Sequence, residues 1–266
     1  MKLHSLSFPS FDQNQQKNPN LTLIHGWGAE SRVWQDWAQS RFGNKYSLTL
    51  IDLPGFGDSS ALPKSDTLED DWIEALAKTL PKEPSHLLGW SLGGLLAQQI
   101  ALRYPQKILS LTCLTTTPRF TQNDGWTRSV NPQIIGDFIG AISIETVSVL
   151  KNFWRLQLQG VDNSRQLMKD LVKHMSERKI PKLAPLNQGL ILLKDMDNRE
   201  QLKDIQAPTF WLLGEKDPLI PQDIRENLTT LQPNAKVMVL AGGSHIPFFS
   251  QPDETAAAIL DFLAQH

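Results

Sequence analysis

The sequence of 266 residues contains a single cysteine, Cys113, so no disulfide bond can form within the chain. This usage is typical of a reducing compartment, and we expect a cytoplasmic protein. Cys113 lies in an apolar, strand-like run, where a buried and unreactive thiol is expected. The formal net charge is only −2, which gives the surface no general attraction for the phosphates of a nucleic acid. We therefore predict no nucleic-acid partner.

The sequence also lacks long apolar runs. No stretch approaches the roughly 18 apolar residues of a transmembrane helix, and residues 1–7 lack the apolar centre of a signal peptide. Motifs for metals and phosphates are missing too, since there is no His-Glu-x-x-His, no cysteine cluster and no Gly-Lys-Ser/Thr loop. These absences predict a protein with no membrane contact and with neither a metal nor another cofactor.

With 40% hydrophobic and 20% charged residues, the chain is large enough for one α/β domain with an insertion. Apolar runs that are too short for helices predict strands, and segments with helical periodicity lie between several of them. The predicted strands are 2–11, 21–24, 47–53, 86–89, 108–114, 207–213 and 236–240, and the predicted helices are 68–80, 92–104 and 254–265. This alternation favours an α/β fold with a mostly parallel central sheet flanked by helices.

The alternation stops near residue 118 and resumes near residue 188. The segment between has two stretches of helical periodicity, one marked by Ile144, Val147, Leu150 and Trp154, the other by Leu167, Met168, Leu171, Val172 and Met175. We predict a core formed by 1–117 and 188–266, with 118–187 inserted as a helical lid.

The predicted lid is basic. Residues 119–182 contain ten Lys and Arg against six Asp and Glu, a net charge of +4, whereas the remainder of the chain has −6. Arg165 and Lys169 share a helix face, as do Lys151 and Arg155, because each pair is four residues apart. Two interpretations remain open: an ordinary solvated face, or a landing surface for an acidic partner or a phosphate-bearing substrate arm.

The motif Gly89-Trp-Ser-Leu-Gly93 follows a predicted strand and precedes a predicted helix. Gly-x-Ser-x-Gly in this context is typical of a nucleophile elbow, in which Ser91 sits on a strained turn and the N–H of Leu92 faces the substrate carbonyl oxygen. The alternative is an ordinary Gly/Ser turn. The motif His25-Gly-Trp-Gly28 also follows a strand, and its loop would supply the second oxyanion donor, the N–H of Trp27.

Asp217 and His245 each follow a later predicted strand. The chain order Ser91, Asp217, His245 is the order of nucleophile, acid and base in this fold class. Because parallel strands bring their carboxyl ends to one edge, we expect these residues to meet there. Serine is a weak nucleophile until an imidazole accepts its proton, and a carboxylate fixes the tautomer of that imidazole.

Five motifs together resemble the BioH family, the α/β-hydrolase carboxylesterases that remove the methyl ester from pimeloyl-acyl carrier protein in biotin synthesis. They are His25-Gly-Trp-Gly28, Ile51-Asp-Leu-Pro-Gly-Phe-Gly57, Gly89-Trp-Ser-Leu-Gly-Gly94, Gly214-Glu-Lys-Asp-Pro-Leu-Ile-Pro221 and His245-Ile-Pro-Phe248.

The resemblance implies that Ser91, Asp217 and His245 form the catalytic triad. It also implies that Trp27, Leu92 and Phe153 contact the acyl group, and that basic lid residues hold the phosphopantetheine arm and the carrier protein. The residues that fit this last role are Lys151, Arg155, Arg165 and Lys169. The family pattern has more arginine earlier in the lid, where this sequence has Ser148 and Asn152. We expect a monomer.

Two other functions fit the same motifs. One is a general short-chain carboxylesterase, or another α/β-hydrolase of an unrelated pathway, in which the charges of the lid have no role. The other is a non-catalytic protein that binds a ligand on this fold. The intact set of Ser91, Asp217 and His245 favours an enzyme over the binding protein.

Overall fold

The computed structural model describes residues 2–266, and a seven-stranded sheet forms its centre. The strands are β1 (Ser5–Phe8), β2 (Asn20–Ile24), β3 (Ser47–Ile51), β4 (Ser85–Trp90), β5 (Ile108–Leu114), β6 (Thr209–Gly214) and β7 (Lys236–Leu240). Their order across the sheet is β1-β3-β2-β4-β5-β6-β7, with β1 antiparallel to β3 and all other pairs parallel. The predicted mostly parallel sheet is confirmed.

The register of the parallel strands brings their carboxyl ends together. Ile24 of β2 pairs with both Ile51 of β3 and Gly89 of β4. Further along the sheet, Trp90 pairs with Leu114 and Gly214 with Leu240. β2, β3, β4 and β6 are buried at every position, as expected for strands covered on both faces. The loops that follow these strands therefore share one edge of the sheet.

Helices cover the sheet. Six of them are α1 (Gln35–Phe42), α2 (Leu68–Thr79), α3 (Leu92–Arg103), α8 (Ile224–Leu231), α9 (Pro247–Ser250) and α10 (Pro252–Leu263), and the other helices lie between β5 and β6. The sequence of α2 shows why such a helix forms. Acidic residues occupy its first turn and Lys78 its last, which complements the helix dipole, while Trp72 and Leu76 are buried. Short 3₁₀ turns occur at Ser31–Trp34, Pro105–Lys107 and Arg199–Asp204.

The segment between β5 and β6 is helical: α4 (Pro132–Ile144), α5 (Thr146–Leu156), α6 (Ser164–Ser176) and α7 (Leu183–Asp195). The sequence had indicated two of these helices, and it placed Ile144 on the same helix as Trp154. That placement is wrong, because Glu145 has a non-helical backbone (φ −133°, ψ 62°) and ends α4, leaving Ile144 85% exposed. The predicted boundary at residue 187 falls inside α7, and the division into core and lid stays a prediction.

Within residues 2–266, no helix combines the length and the apolar composition that crossing a membrane requires.

Candidate active site

Ser91 lies on a sharp turn between β4 and α3. Its backbone has φ 54° and ψ −121°, a strained conformation for a residue with a side chain. The turn is possible because its neighbours are glycines. A Cβ atom on Gly89 would lie 2.5 Å from the Gly93 carbonyl oxygen, and one on Gly93 would lie 2.2 Å from the carbonyl oxygen of Ile24. This is the geometry of a nucleophile elbow.

A chain of hydrogen bonds joins the three predicted catalytic residues. The Ser91 Oγ atom lies 2.9 Å from His245 Nε2, and His245 Nδ1 lies 2.8 Å from Asp217 Oδ2. The carboxylate accepts the proton of Nδ1, so Nε2 is free to accept a proton from the serine hydroxyl. The other carboxylate oxygen accepts the N–H groups of Leu219 and Ile220, at 2.8 and 3.0 Å, which fixes its orientation.

The predicted oxyanion donors lie beside the serine. The loop that contains Trp27 is in close contact with it, since a Cβ atom on Gly26 would lie 3.0 Å from the Ser91 Cβ atom. Among residues 2–266, neither the Trp27 N–H nor the Leu92 N–H has a hydrogen-bond acceptor. Two unpaired backbone donors next to a serine hydroxyl can stabilise the negative charge of a tetrahedral intermediate.

His25 holds the loop of Trp27 in place. Its Nε2 atom accepts the N–H of Leu53 at 3.0 Å, so its proton is on Nδ1, which donates to the carbonyl of Gly26 at 2.8 Å. That carbonyl and the Trp27 N–H belong to one peptide plane and point in opposite directions. Burial lowers the pKa of His25, although Asp52 and the Gly26 carbonyl act in the opposite direction. The neutral imidazole is the form that these hydrogen bonds require.

Asp52 organises the neighbouring loop. Its carboxylate accepts the N–H groups of Ser31 and Asp58, at 2.7 and 3.0 Å, and contacts His4 Nδ1 at 2.7 Å. Burial raises the pKa of Asp52, but His25 and the two N–H donors outweigh it and hold the pKa below its ordinary value. His4, Asp52 and Asp58 could together offer ligands to a cation. Since these donors already occupy the Asp52 oxygens, we assign the cluster a structural role.

An aromatic cluster lies next to the loop of Trp27. The ring of Trp27 packs edge-on against Phe153 of α5 (4.9 Å between centroids) and Phe138 of α4 (5.7 Å). α7 also contacts this ring, since Trp27 Nε1 donates to the carbonyl of Leu186 at 2.9 Å. A Cβ atom on Gly189 would lie 2.7 Å from the Trp27 ring, so glycine allows α7 to approach it. The structure thus brings Phe153 to Trp27, next to the serine.

The predicted basic residues lie on the outer faces of α5 and α6. Arg155, Arg165 and Lys169 line one groove together with Lys173, whereas Lys151 is half-buried elsewhere on α5. Within residues 2–266, none of these five cations forms a salt bridge. Their charge is therefore available to a partner in solution.

Sequence reasoning missed several groups at this site. Thr115, Thr116, Gln157 and Gly189 all contact its members. The signal for Gly189 was a glycine within an apolar helical run, and the signal for the two threonines was the row Thr115-Thr-Thr117 directly after a strand. Gln157 has no such signal, because it acts through its main-chain carbonyl.

A seven-stranded sheet of this topology, with Ser91, Asp217 and His245 linked at its carboxyl edge, defines the α/β-hydrolase class. Comparison with known proteins agrees. A family model described as alpha/beta hydrolase fold matches residues 19–252. A bromoperoxidase from Bacillus anthracis superposes with a TM-score of 0.84 over 98% of this chain and 96% of that one, at 19% identity, which shows the shared fold.

Relatives in sequence indicate a particular family within this class. The chain is 31% identical to the pimeloyl-[acyl-carrier protein] methyl ester esterase of Aliivibrio fischeri over 98% of this chain and 100% of that protein. It is 35% identical to the esterase of the same name from Salmonella paratyphi A, over 91% of this chain and 93% of the relative. The chain therefore belongs to the alpha/beta hydrolase fold family and, within it, to the family of these esterases.

Proposed function

We propose that the protein is a serine carboxylesterase that hydrolyses the methyl ester of pimeloyl-[acyl-carrier protein], the substrate named for its relatives. The observation that carries the proposal is the hydrogen-bonded chain from Ser91 through His245 to Asp217, with two unpaired N–H groups beside the serine. This set of groups is what acyl transfer from an ester requires.

The reaction starts at Ser91. Its Oγ atom attacks the ester carbonyl while His245 Nε2 accepts the hydroxyl proton, and Asp217 stabilises the imidazolium that forms. The N–H groups of Trp27 and Leu92 donate to the oxyanion of the tetrahedral intermediate. When this intermediate collapses, His245 returns the proton to the departing methoxy group, and methanol leaves. An acyl-enzyme ester remains on Ser91.

Water completes the cycle. His245 Nε2 accepts a proton from a water molecule as its oxygen attacks the acyl-enzyme, and a second oxyanion forms at the same two donors. Its collapse returns the proton to the Ser91 oxygen and releases the free carboxyl group. The methylene chain of the acyl group suits the partly buried ring of Phe153, which packs on Trp27, because contact with apolar rings removes apolar area from water.

α5 links this chemistry to the basic surface. Its inner face carries Phe153 beside Trp27, and its outer face carries Arg155, which lines the groove with Arg165 and Lys169. A substrate carried on a phosphopantetheine arm has a phosphate at a distance from its reacting ester, and the proposal requires an acidic surface on the carrier protein. The unpaired cations match both features, so a monomer of this chain binds the carrier through α5 and α6.

The test compares one ester in two forms. Initial rates are measured at low and high salt with two substrates: methyl-pimeloyl carrier protein, and dimethyl pimelate, which has no carrier. We expect a larger kcat/KM for the carrier-borne ester, and this advantage should shrink as salt increases, because added ions screen the exposed charges. Equal kcat/KM for both forms would instead assign a general carboxylesterase. Absence of turnover and of labelling by a fluorophosphonate would assign a binding protein.

A further inference from the structure

Two threonines at the end of β5 contact both reacting residues of the site through main-chain atoms. Thr115 and Thr116 follow Leu114, and both are fully buried. β5 lies between β4, which leads to Ser91, and β6, which leads to Asp217. The pair therefore lies at the centre of the sheet edge where the predicted catalytic groups meet.

Thr115 holds the backbone of the base. Its Oγ1 donates to the carbonyl of His245 at 2.8 Å, and Trp90 Nε1 donates to the same carbonyl, also at 2.8 Å. These two donors occupy both lone pairs of that oxygen. The N–H of His245 donates to the carbonyl of Gln157 at 3.2 Å, so both sides of this residue's backbone are fixed.

The conformation of Thr115 is strained. Its φ is +40°, which is unfavourable for a β-branched side chain. Such strain persists only where the surroundings hold it, and it is concentrated at functional sites. Here the N–H of Thr115 donates to the carbonyl of Leu212 at 2.8 Å while its hydroxyl reaches His245. The strained backbone is thus tied to β6 at one end and to the loop of the base at the other.

Thr116 holds the backbone of the nucleophile. Its Oγ1 donates to the carbonyl of Ser91 at 2.7 Å. The N–H of Ser91 in turn donates to the carbonyl of Leu114, at the end of the same strand. Three consecutive residues, Leu114, Thr115 and Thr116, therefore form hydrogen bonds with the main chain of Ser91 and His245.

We infer that Thr115 and Thr116 are positioning residues that set the approach of His245 Nε2 to Ser91 Oγ. This inference rests on the proposed function, because it assumes that proton transfer between these atoms limits the reaction. Each threonine fixes one end of that transfer, and the rigid strand end fixes the two threonines relative to each other. Displacing a catalytic group by about 1 Å can lower a rate about 100-fold.

The test uses valine, which has nearly the shape of threonine and keeps the β-branch but cannot donate. In Thr115→Val, we expect kcat for a small p-nitrophenyl ester to fall about 10- to 100-fold with KM within about 2-fold, and fluorophosphonate labelling of Ser91 to slow in parallel. Thr115→Ser keeps the hydroxyl and should restore most of both rates. The pH at which kcat is half-maximal should also shift in Thr115→Val and return in Thr115→Ser.

Thr112→Val is the matched control. Thr112 is on the same strand and 1% exposed, but its Oγ1 has no hydrogen-bond partner in the described structure. This variant should keep the kcat and labelling rate of the unmodified protein. An equal loss in Thr112→Val, or a loss in Thr115→Val that serine does not restore, would assign Thr115 to packing alone and overturn the inference.

Thr116→Val provides an independent measurement if Thr115→Val does not fold. It should slow labelling and kcat together, and unchanged rates in this variant would overturn the inference as well. The probes do not depend on the carrier. The protein could be labelled at Ser91 and still show no preference for the carrier-borne ester. That result would contradict the proposed substrate, but the comparison of these variants would stay valid.

Discussion

Polar groups are buried and hydrogen-bonded at the carboxyl edge of the sheet, whereas cations are exposed on the outer faces of α5 and α6. At the sheet edge, His245 is fully buried, and its ring and both backbone groups have hydrogen-bond partners. On the helices, Arg165 and Lys169 are exposed and form no salt bridge within residues 2–266. The first arrangement fixes the position and orientation of the base, and the second leaves long side chains free to adjust.

This difference follows from the two tasks that we propose. Proton transfer works only over hydrogen-bond distances, so each participating group needs a fixed orientation. Attraction of an acidic carrier acts over a Debye length of about 8 Å at physiological salt, so the cations need only lie on the correct surface. A change at the sheet edge should therefore alter turnover of every ester, and a change on the helices should alter only the carrier-borne one.

Ser91→Ala should lower turnover more than any other change. We expect kcat to fall about 10⁴- to 10⁶-fold for both carrier-borne and free esters, because Ser91 has the only hydroxyl that hydrogen-bonds to His245 Nε2 among residues 2–266. Circular dichroism should be unchanged, since alanine removes one buried atom. The rates are compared by release of methanol. Retained hydrolysis with either ester would show that another residue is the nucleophile.

Asp217→Asn should have a slightly smaller effect on the same two esters. The amide that replaces the carboxylate cannot stabilise the charged imidazole, and its NH₂ group favours the wrong tautomer of His245, which typically lowers kcat about 10⁴-fold. The N–H groups of Leu219 and Ile220 can still donate to the remaining oxygen, so the loop should keep its shape. A loss below about 10-fold would mean that the carboxylate only supports the loop.

The sequence predicted the sheet edge well because local rules determine it. Gly89 and Gly93 are required by close backbone contacts, and these contacts exist wherever a serine occupies such a turn. The ends of β4, β6 and β7 were readable from short apolar runs. Together these features predicted which residues would meet, and the structure brings Ser91, Asp217 and His245 into hydrogen-bond contact.

The helices between β5 and β6 were predicted less well, for a physical reason. α4 has only one charged residue, Asp137, so no polar face reveals its period, and the sequence did not separate it from α5. The break at Glu145 involves neither glycine nor proline, the residues that usually mark one. Thr115 and Gly189 carried local signals, but the contacts of Thr115, Gln157 and Gly189 join parts of the chain distant in sequence, so the local signals did not predict the partners.

Charge reversal on α6 should affect only the carrier-borne ester, unlike the two changes at the sheet edge. In the double variant Arg165→Glu/Lys169→Glu, we expect kcat/KM for the carrier-borne ester to fall about 10-fold or more at low salt, with the free ester unaffected. Lys203→Glu is a control for a charge reversal at another surface, because Lys203 is exposed and precedes the amino end of β6, at the edge opposite the triad. Equal losses on both esters would indicate misfolding of the helices rather than lost docking.

The smallest expected effect concerns acid stability at the sheet edge. Burial lowers the pKa of His25 below its ordinary value of 6.5, so the unfolded chain takes up a proton before the folded one does. The contribution of neutral His25 is therefore complete above about pH 6.5 and is lost as the pH falls towards the folded pKa, at up to about 1.4 kcal/mol per pH unit. Burial lowers the pKa values of His86 and His174 too, so these two histidines should also make the unmodified protein less stable as the pH falls over the same range.

His25→Gln isolates the contribution of this one residue, because His86 and His174 are present in both proteins. Urea unfolding at pH 7.5, 6.5 and 5.5 should show a smaller fall in unfolding free energy for the variant than for the unmodified protein, whatever their difference at pH 7.5. The same fall in both would mean that His25 does not stay neutral in the folded state. A protonated His25 could not accept the N–H of Leu53 at Nε2. This hydrogen bond would then not orient the Gly26 peptide, and the Trp27 N–H would need another support.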